Sequence, residues 1–127
     1  MFILYKIKME YLTFYNKQGK AIAWLSDSDE ETIYLFDGKP VAWICGNSVY
    51  SFNGSHLGFF ENGWIYDNKG YCVYFTQEAT GGPIRPAKQI CPVRSITKVK
   101  PIKRPKTIPP INPIKKLSWS IDSDNFF

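Results

Sequence analysis

His56 is the only imidazole in the chain, two residues after Gly54 of an Asn-Gly dipeptide. A general base needs an orienting partner and a proton within reach. At the tip of a hairpin His56 has neither in view, so the sequence predicts a surface turn residue. The three cysteines, Cys45, Cys72 and Cys91, are odd in number and have no zinc-ligand spacing. They read as reduced thiols, Cys72 within a strand and Cys45 in a connection beside Gly46. Asp27, Asp29, Glu30 and Glu31 form an acidic loop without the EF-hand spacing. It suits a solvated loop, or a docking place for a basic segment of the same or another subunit. No Walker loop, dinucleotide fingerprint or nucleophile elbow is present. These residues point away from an enzyme and imply neither a metal nor a cofactor.

The richest source of binding chemistry is the C-terminal third. Residues 83–127 carry ten Lys and Arg against Asp122 and Asp124, a net +8, whereas residues 1–82 carry six Lys against nine carboxylates, a net −3. Eight of the nine prolines fall between Pro83 and Pro113. Such a segment cannot form a regular ladder and is expected to run extended or polyproline-like. It also holds ten aliphatic residues between Ile84 and Leu117. That is too many for a solvated linker, so the tail is expected to bury them along the rest of the chain or on a neighbouring subunit, with Trp119 as an anchor.

At 127 residues the chain supports one core-forming domain. Aromatic residues make up 17% of it, which excludes disorder, and no apolar run is long enough for a spanning helix. Met1–Lys8 has its charge after its apolar stretch and no small-residue cleavage site, so it reads as a strand or extension rather than a secretory leader. Met9 is an alternative start. With reduced thiols, this places the protein in a cytoplasm, the host's if phage-encoded. The organisation reads as an N-terminal strand or extension (1–10), a folded domain (11–82) and a basic tail (83–127).

A fourfold repeat positions everything else. Aligned on Gly19, Gly38, Gly54 and Gly70, the chain places Ile22, Val41, Leu57 and Val73 three residues on. Trp24, Trp43, Phe59 and Phe75 follow five residues on, and Ala23, Ala42, Gly58 and Tyr74 lie between. Each unit reads as a β-hairpin with half-buried strands. Asp37-Gly38 and Asn53-Gly54 suit type I′ turns; units one and four have longer turns closed by a left-handed glycine. No helical period is present. A lone hairpin is marginal in water, so the four must share a core. With a period of two, the +3 and +5 residues fall on one face, and the four large +5 rings are expected on a common pseudo-fourfold axis. Tyr11, Tyr15, Tyr34, Tyr50, Tyr66 and Tyr71 are expected to form a partly exposed ring.

Two tandem stretches, Tyr34–Ile44 and Val49–Phe59, resemble the four-fold β-flower family of bacterial and phage proteins. Gly81-Gly82-Pro83-Ile84-Arg85-Pro86, Pro109-Pro110 and Trp119-Ser120 add to the resemblance, which covers roughly residues 11 to 120. It implies an all-β fold, four tandem β-hairpin repeats around a pseudo-fourfold axis, followed by an extended proline-rich basic tail. It implies no activity.

Aromatic faces for stacking, Arg and Lys for phosphate and the missing catalytic constellation together suggest a non-enzymatic binding protein. It would capture an anionic, nucleotide-like small molecule as a symmetric homo-oligomer, sequestering it. Arg85, Lys88, Arg94, Arg104, Tyr34, Tyr50 and Trp119 are the candidate ligand-binding residues. Arg85 leads them, because Gly81-Gly82 lets backbone approach a phosphate and guanidinium grips it with two parallel bonds. The alternatives are a structural or protein-interaction module with the tail as assembly strap, and nucleic-acid binding through the tail. No membrane is implied.

Overall fold

A computed structural model describes residues 12–121 and 123–127. The N-terminal strand, the choice between Met1 and Met9, and Tyr11 lie outside the described residues. Eight antiparallel strands close into a barrel in chain order: β1 (Thr13–Tyr15), β2 (Ala21–Leu25), β3 (Thr32–Leu35), β4 (Pro40–Cys45), β5 (Ser48–Tyr50), β6 (His56–Glu61), β7 (Trp64–Asp67) and β8 (Cys72–Phe75). Tyr15 pairs with Phe75 to close it. Among the described residues the only helical element is a 3-10 turn, Ser123–Asn125, and no helix is long and apolar enough to cross a membrane.

The turns at the four glycines are alike. In each, the glycine N–H donates to the carbonyl three residues back: Asn16, Leu35, Ser51 and Asp67, at 2.9–3.1 Å. Only the glycine has positive φ; Asp37 and Asn53 do not. These are turns closed by a left-handed glycine, so the type I′ assignment at Asp37-Gly38 and Asn53-Gly54 is corrected. Between paired strands, two consecutive positive φ angles occur instead at Asn62-Gly63, at 55° and 78°, in the connection from β6 to β7. Two residues there must reverse the chain between tightly paired strands, which is what type I′ geometry does.

Every hairpin also carries a bulge at the same place. The register slips so that Ile22, Val41, Leu57 and Val73 have no direct partner. An extra residue changes the parity of the strand, and with it the face each later side chain takes. The bulged +3 residues and the +4 residues after them therefore both pack in the interior cluster, with Phe14, Ile33, Val49 and Ile65. The +5 rings turn outward. Trp24, Trp43, Phe59 and Phe75 do not meet on the axis as an unbroken period of two predicts; small Ala23, Ala42 and Gly58 line the interior instead. An eight-stranded barrel leaves room for little more than side chains, and four large rings would overfill it. Tyr74, the exception at +4, faces Phe126 and Phe127 (ring centroids 5.8 and 5.4 Å), and its hydroxyl donates to the Ser123 carbonyl at 3.3 Å. The end of the chain thus packs against this core.

On the outer wall, each hairpin is joined to the next by an aromatic pair. Tyr15 stacks on Phe75 (5.4 Å), Tyr34 on Trp24 (5.0 Å) and Tyr50 on Trp43 (5.5 Å), while Tyr66 lies opposite Phe59. All four tyrosines are buried, as are their partners. The partly exposed ring of tyrosines is thereby corrected: residues 83–120 cover the wall, and only Tyr71 of the described set is half-buried.

His56 is not a solvated tip. It is the first residue of β6, half-buried between Tyr50 and Phe59. Its Nδ1 lies 2.8 Å from Asn68 Oδ1 and its Nε2 2.9 Å from Ser48 Oγ. Burial lowers its pKa against the hydrogen bond to Asn68, favouring the neutral ring. It ties β5 and β6 to the next turn, which is a structural task.

Candidate interaction surface along residues 83–120

Residues 83–120 have no strand or helix beyond a bridge at Trp119, yet their backbone is firmly placed. Gln89, Lys98, Thr107 and Lys116 donate their N–H groups to the carbonyls of Gly19, Gly38, Gly54 and Gly70 at 2.8–2.9 Å. The donors are nine residues apart each time. One nonapeptide thus spans each hairpin, although the turn glycines are 19, 16 and 16 residues apart. Ser95 and Arg104 add bonds to the Phe36 and Phe52 carbonyls, both 2.9 Å. The equivalent positions hold Pro86 and Pro113, which have no N–H to give.

The strap begins and ends at the same strands. Gly82 sits against the Trp64 indole, whose Nε1 donates to the Thr80 carbonyl at 3.0 Å. At the far end Trp119 bridges Cys72 and packs on Trp64 (5.4 Å) and Phe75 (6.2 Å). A circuit past all four turns is complete.

Its cations point mostly inward. Arg94 lies over Trp24 and Lys103 over Trp43, both at 4.2 Å. Lys88 is over Tyr15 at 5.9 Å, Lys106 over Tyr50 at 6.0 Å and Lys115 over Tyr66 at 5.3 Å. Such contacts are worth ~0.5–1 kcal/mol when exposed and more when dry. The acidic loop is also engaged: Lys100 pairs with Asp29 at 3.1 Å and Lys103 with Glu31. Burial alone would raise the Asp29 carboxyl. The Thr32 hydroxyl, the Glu31 and Thr32 N–H groups and Lys100 outweigh that and hold it well below the usual carboxylate range. On the next side Lys115 meets Glu61 at 3.2 Å, and Asn112 donates to the same carboxylate at 2.7 Å.

The aliphatic residues do the opposite of what their number predicts. From Ile84 to Leu117 they are 76–96% exposed. The strap is held by backbone bonds and by cations on rings, so its aliphatic groups face away from the barrel, and their expected burial is corrected.

The seven candidate ligand residues do not form one site. Arg85 and Trp119 meet on Trp64, where Arg85 donates to the Gly81 carbonyl at 2.8 Å and lies 5.8 Å from the ring centroid. Lys88 is on β1, and Arg94 with Tyr34 on the Trp24 stack. Tyr50 gives its hydroxyl to the Thr107 carbonyl at 3.1 Å, and Arg104 uses its backbone on Phe52. Two hollows lie nearby, one of about 420 Å³ at Gly81–Arg85 and one of about 550 Å³ between Leu57, the Asp67–Lys69 turn, Trp119 and Phe126. Among the described residues no group of His, Cys, Asp and Glu could hold a metal ion. The nine-residue recurrence of Pro83, Pro92, Pro101 and Pro110 was the missed signal, visible in the sequence once the hairpin contacts give the period.

No curated protein and no solved structure matches the chain. A family model does, over residues 12–127, and it therefore takes in barrel and strap together; the chain belongs to the 4-fold beta flower proteins.

Proposed function

We propose that this chain is a non-enzymatic protein-interaction module. Four tandem hairpins about a pseudo-fourfold axis form the platform, and the proline-rich strap forms the contact surface. The observation that carries it is the reversal of burial along the strap, with cations spent on the barrel and aliphatic side chains left outside. Exposed apolar surface on this scale marks an interaction site. The three unpaired cysteines support a reducing compartment such as a cytoplasm.

Capture of an anionic nucleotide-like molecule is the second reading. The hollow at Gly81–Arg85 favours it, since glycine backbone and a guanidinium share its lining. Against it, Arg85 is already engaged by Gly81 and Trp64, and the other candidate residues lie on separate hairpins. Native mass spectrometry of protein purified from its source separates the two. The module requires a protein–protein species, of this chain or another. A bare monomer, or a monomer with one stoichiometric nucleotide, overturns it.

A further inference from the structure

The barrel is electrically polar along its axis. Its antiparallel order puts the four glycine turns at one end and the connections between hairpins at the other. Six of the nine described carboxylates, Asp27, Asp29, Glu30, Glu31, Glu61 and Glu78, lie at the connection end. All four described lysines of the barrel, Lys17, Lys20, Lys39 and Lys69, lie in or beside the turns. Asp37 and Asp67 share that end, but each accepts N–H groups of its own turn at 2.9 Å, and Asp124 sits in the C-terminal 3-10 turn. The strap keeps the same division. Eight of its cations reach rings, carboxylates, carbonyls or a thiol of the chain. The other two, Lys98 and Arg104, bond through their backbone to the Gly38 and Phe52 carbonyls, in turns two and three. Among the described residues, the cations whose side chains have no partner are therefore Lys17, Lys20, Lys39, Lys69, Lys98 and Arg104. All six stand at the turn end.

We infer that the turn end is a docking surface for an anionic lipid bilayer. Charge complementarity is the first ground: cations spread over all four turns meet a flat, diffuse negative surface together, and each adds to the attraction. The second is the apolar groups among them. Ile96 and Ile114, whose carbonyls lie against Gly38 and Gly70, are 92% and 86% exposed, and Ile121, beside Asn68 and Lys69, is 92% exposed. Aliphatic side chains mixed with Lys and Arg are the composition of a membrane-surface contact. The third is what the end lacks for a nucleic acid. The stacked rings of the wall lie under the strap, so they offer bases no platform, and no described helix or ribbon projects there to enter a groove. The contact is shallow. Among the described residues most strap N–H groups have no partner within the chain, and such groups do not enter hydrocarbon. The end therefore rests among headgroups, with only aliphatic tips below them. This surface is separate from the strap's outer face, so it goes beyond the interaction-module reading: a protein that is monomeric in native mass spectrometry would overturn the module and leave the docking end standing.

The test is co-sedimentation of the full chain with phosphatidylcholine vesicles, with and without phosphatidylserine, at low and high salt. The wild type is expected to pellet with the phosphatidylserine vesicles only, and to be released by salt. Lys39→Gln/Lys69→Gln removes two charges from the turn end, at exposed side chains, and should bind at least tenfold more weakly. Gln77→Glu/Thr80→Glu changes the net charge by the same two units at the connection end, also at exposed side chains, and should bind as the wild type does. Lys39→Arg/Lys69→Arg should restore binding, which a merely misfolded glutamine variant would not predict, and aromatic circular dichroism checks the fold of each. Ile96→Asp should weaken binding as well. A wild type that leaves phosphatidylserine vesicles in the supernatant overturns the inference, as does equal pelleting with pure phosphatidylcholine. Equal loss in the two charge variants would show net charge alone and overturns it too. So does a wild type that binds a 20-mer DNA more tightly than the vesicles, which would assign the turn end to nucleic acid instead.

Discussion

The Ile96 carbonyl oxygen occupies the space that a β-carbon on Gly38 would fill. The turn needs a left-handed residue there, φ being 92°, and the strap needs the missing side chain. Gly19, Gly54 and Gly70 stand in the same relation to Ala87, Pro105 and Ile114. Gly38→Ala should thus cost more than the ~1–3 kcal/mol of a left-handed non-glycine residue, because it also displaces the strap. Denaturant unfolding gives the cost. Limited proteolysis should show new cleavage near Ile96 in the folded variant, and an uncut strap would separate the turn from the strap.

The bulge argument makes opposite demands on neighbouring residues. Ala42 faces the barrel interior and Trp43 the wall beneath Lys103. Ala42→Leu should overpack the interior and cost ~1–3 kcal/mol. Trp43→Ala should cost ~3–5 kcal/mol and loosen the strap. Lys103→Ala should cost only about 1 kcal/mol, as a cation–π contact and an exposed ion pair are lost. Thermal or urea unfolding of the three variants checks the order; a neutral Ala42→Leu would put +4 outside the packed interior.

Asp29 sets a pH dependence with a definite sign. Its carboxyl is held below the ordinary value, so the unfolded chain binds the proton more readily. The stabilisation is complete above the unfolded pKa of ~3.9 and is lost as pH falls below it toward the folded value. Glu61, also lowered, acts in the same direction. Melting temperature should fall steeply below about pH 4, and Asp29→Asn should flatten that fall. An unchanged acid limb would show that the Thr32 and Lys100 contacts do not persist in solution.

The thiols should divide by burial. Cys72 is buried and its pKa is pushed up to about 11, chiefly by that burial, while Cys45 and Cys91 are half-buried. A thiol reagent at neutral pH should label Cys45 and Cys91 first and Cys72 only on unfolding. Mass spectrometry of digests reads this directly. Rapid labelling of Cys72 would mean that the Cys72–Trp119 bridge opens readily.

Much of the fold is legible in the residues. The four glycines, the alternating apolar flanks and the tandem stretches at Tyr34–Ile44 and Val49–Phe59 announce hairpins because turn chemistry and strand patterning are local. The candidate surface was legible only in part. The cations and prolines of residues 83–116 marked the segment, but Arg85, Lys88, Arg94 and Arg104 were grouped by charge, and charge alone does not say which ring each one covers.

What the sequence by itself determined is the element type, the positions of the turns and the two-part chemistry of the chain, since each follows from neighbours within a few residues. The tertiary structure decided which faces are inside. A single bulge after each turn sends Trp24, Trp43, Phe59 and Phe75 outward and leaves Ala23, Ala42 and Gly58 to the interior, and a bulge appears only when two strands pair. It also decided that the tail's aliphatic residues remain exposed. Backbone bonds to four distant turns and cations over rings consume the strap's inner face, and no count of apolar residues reveals which side of an extended chain is already taken.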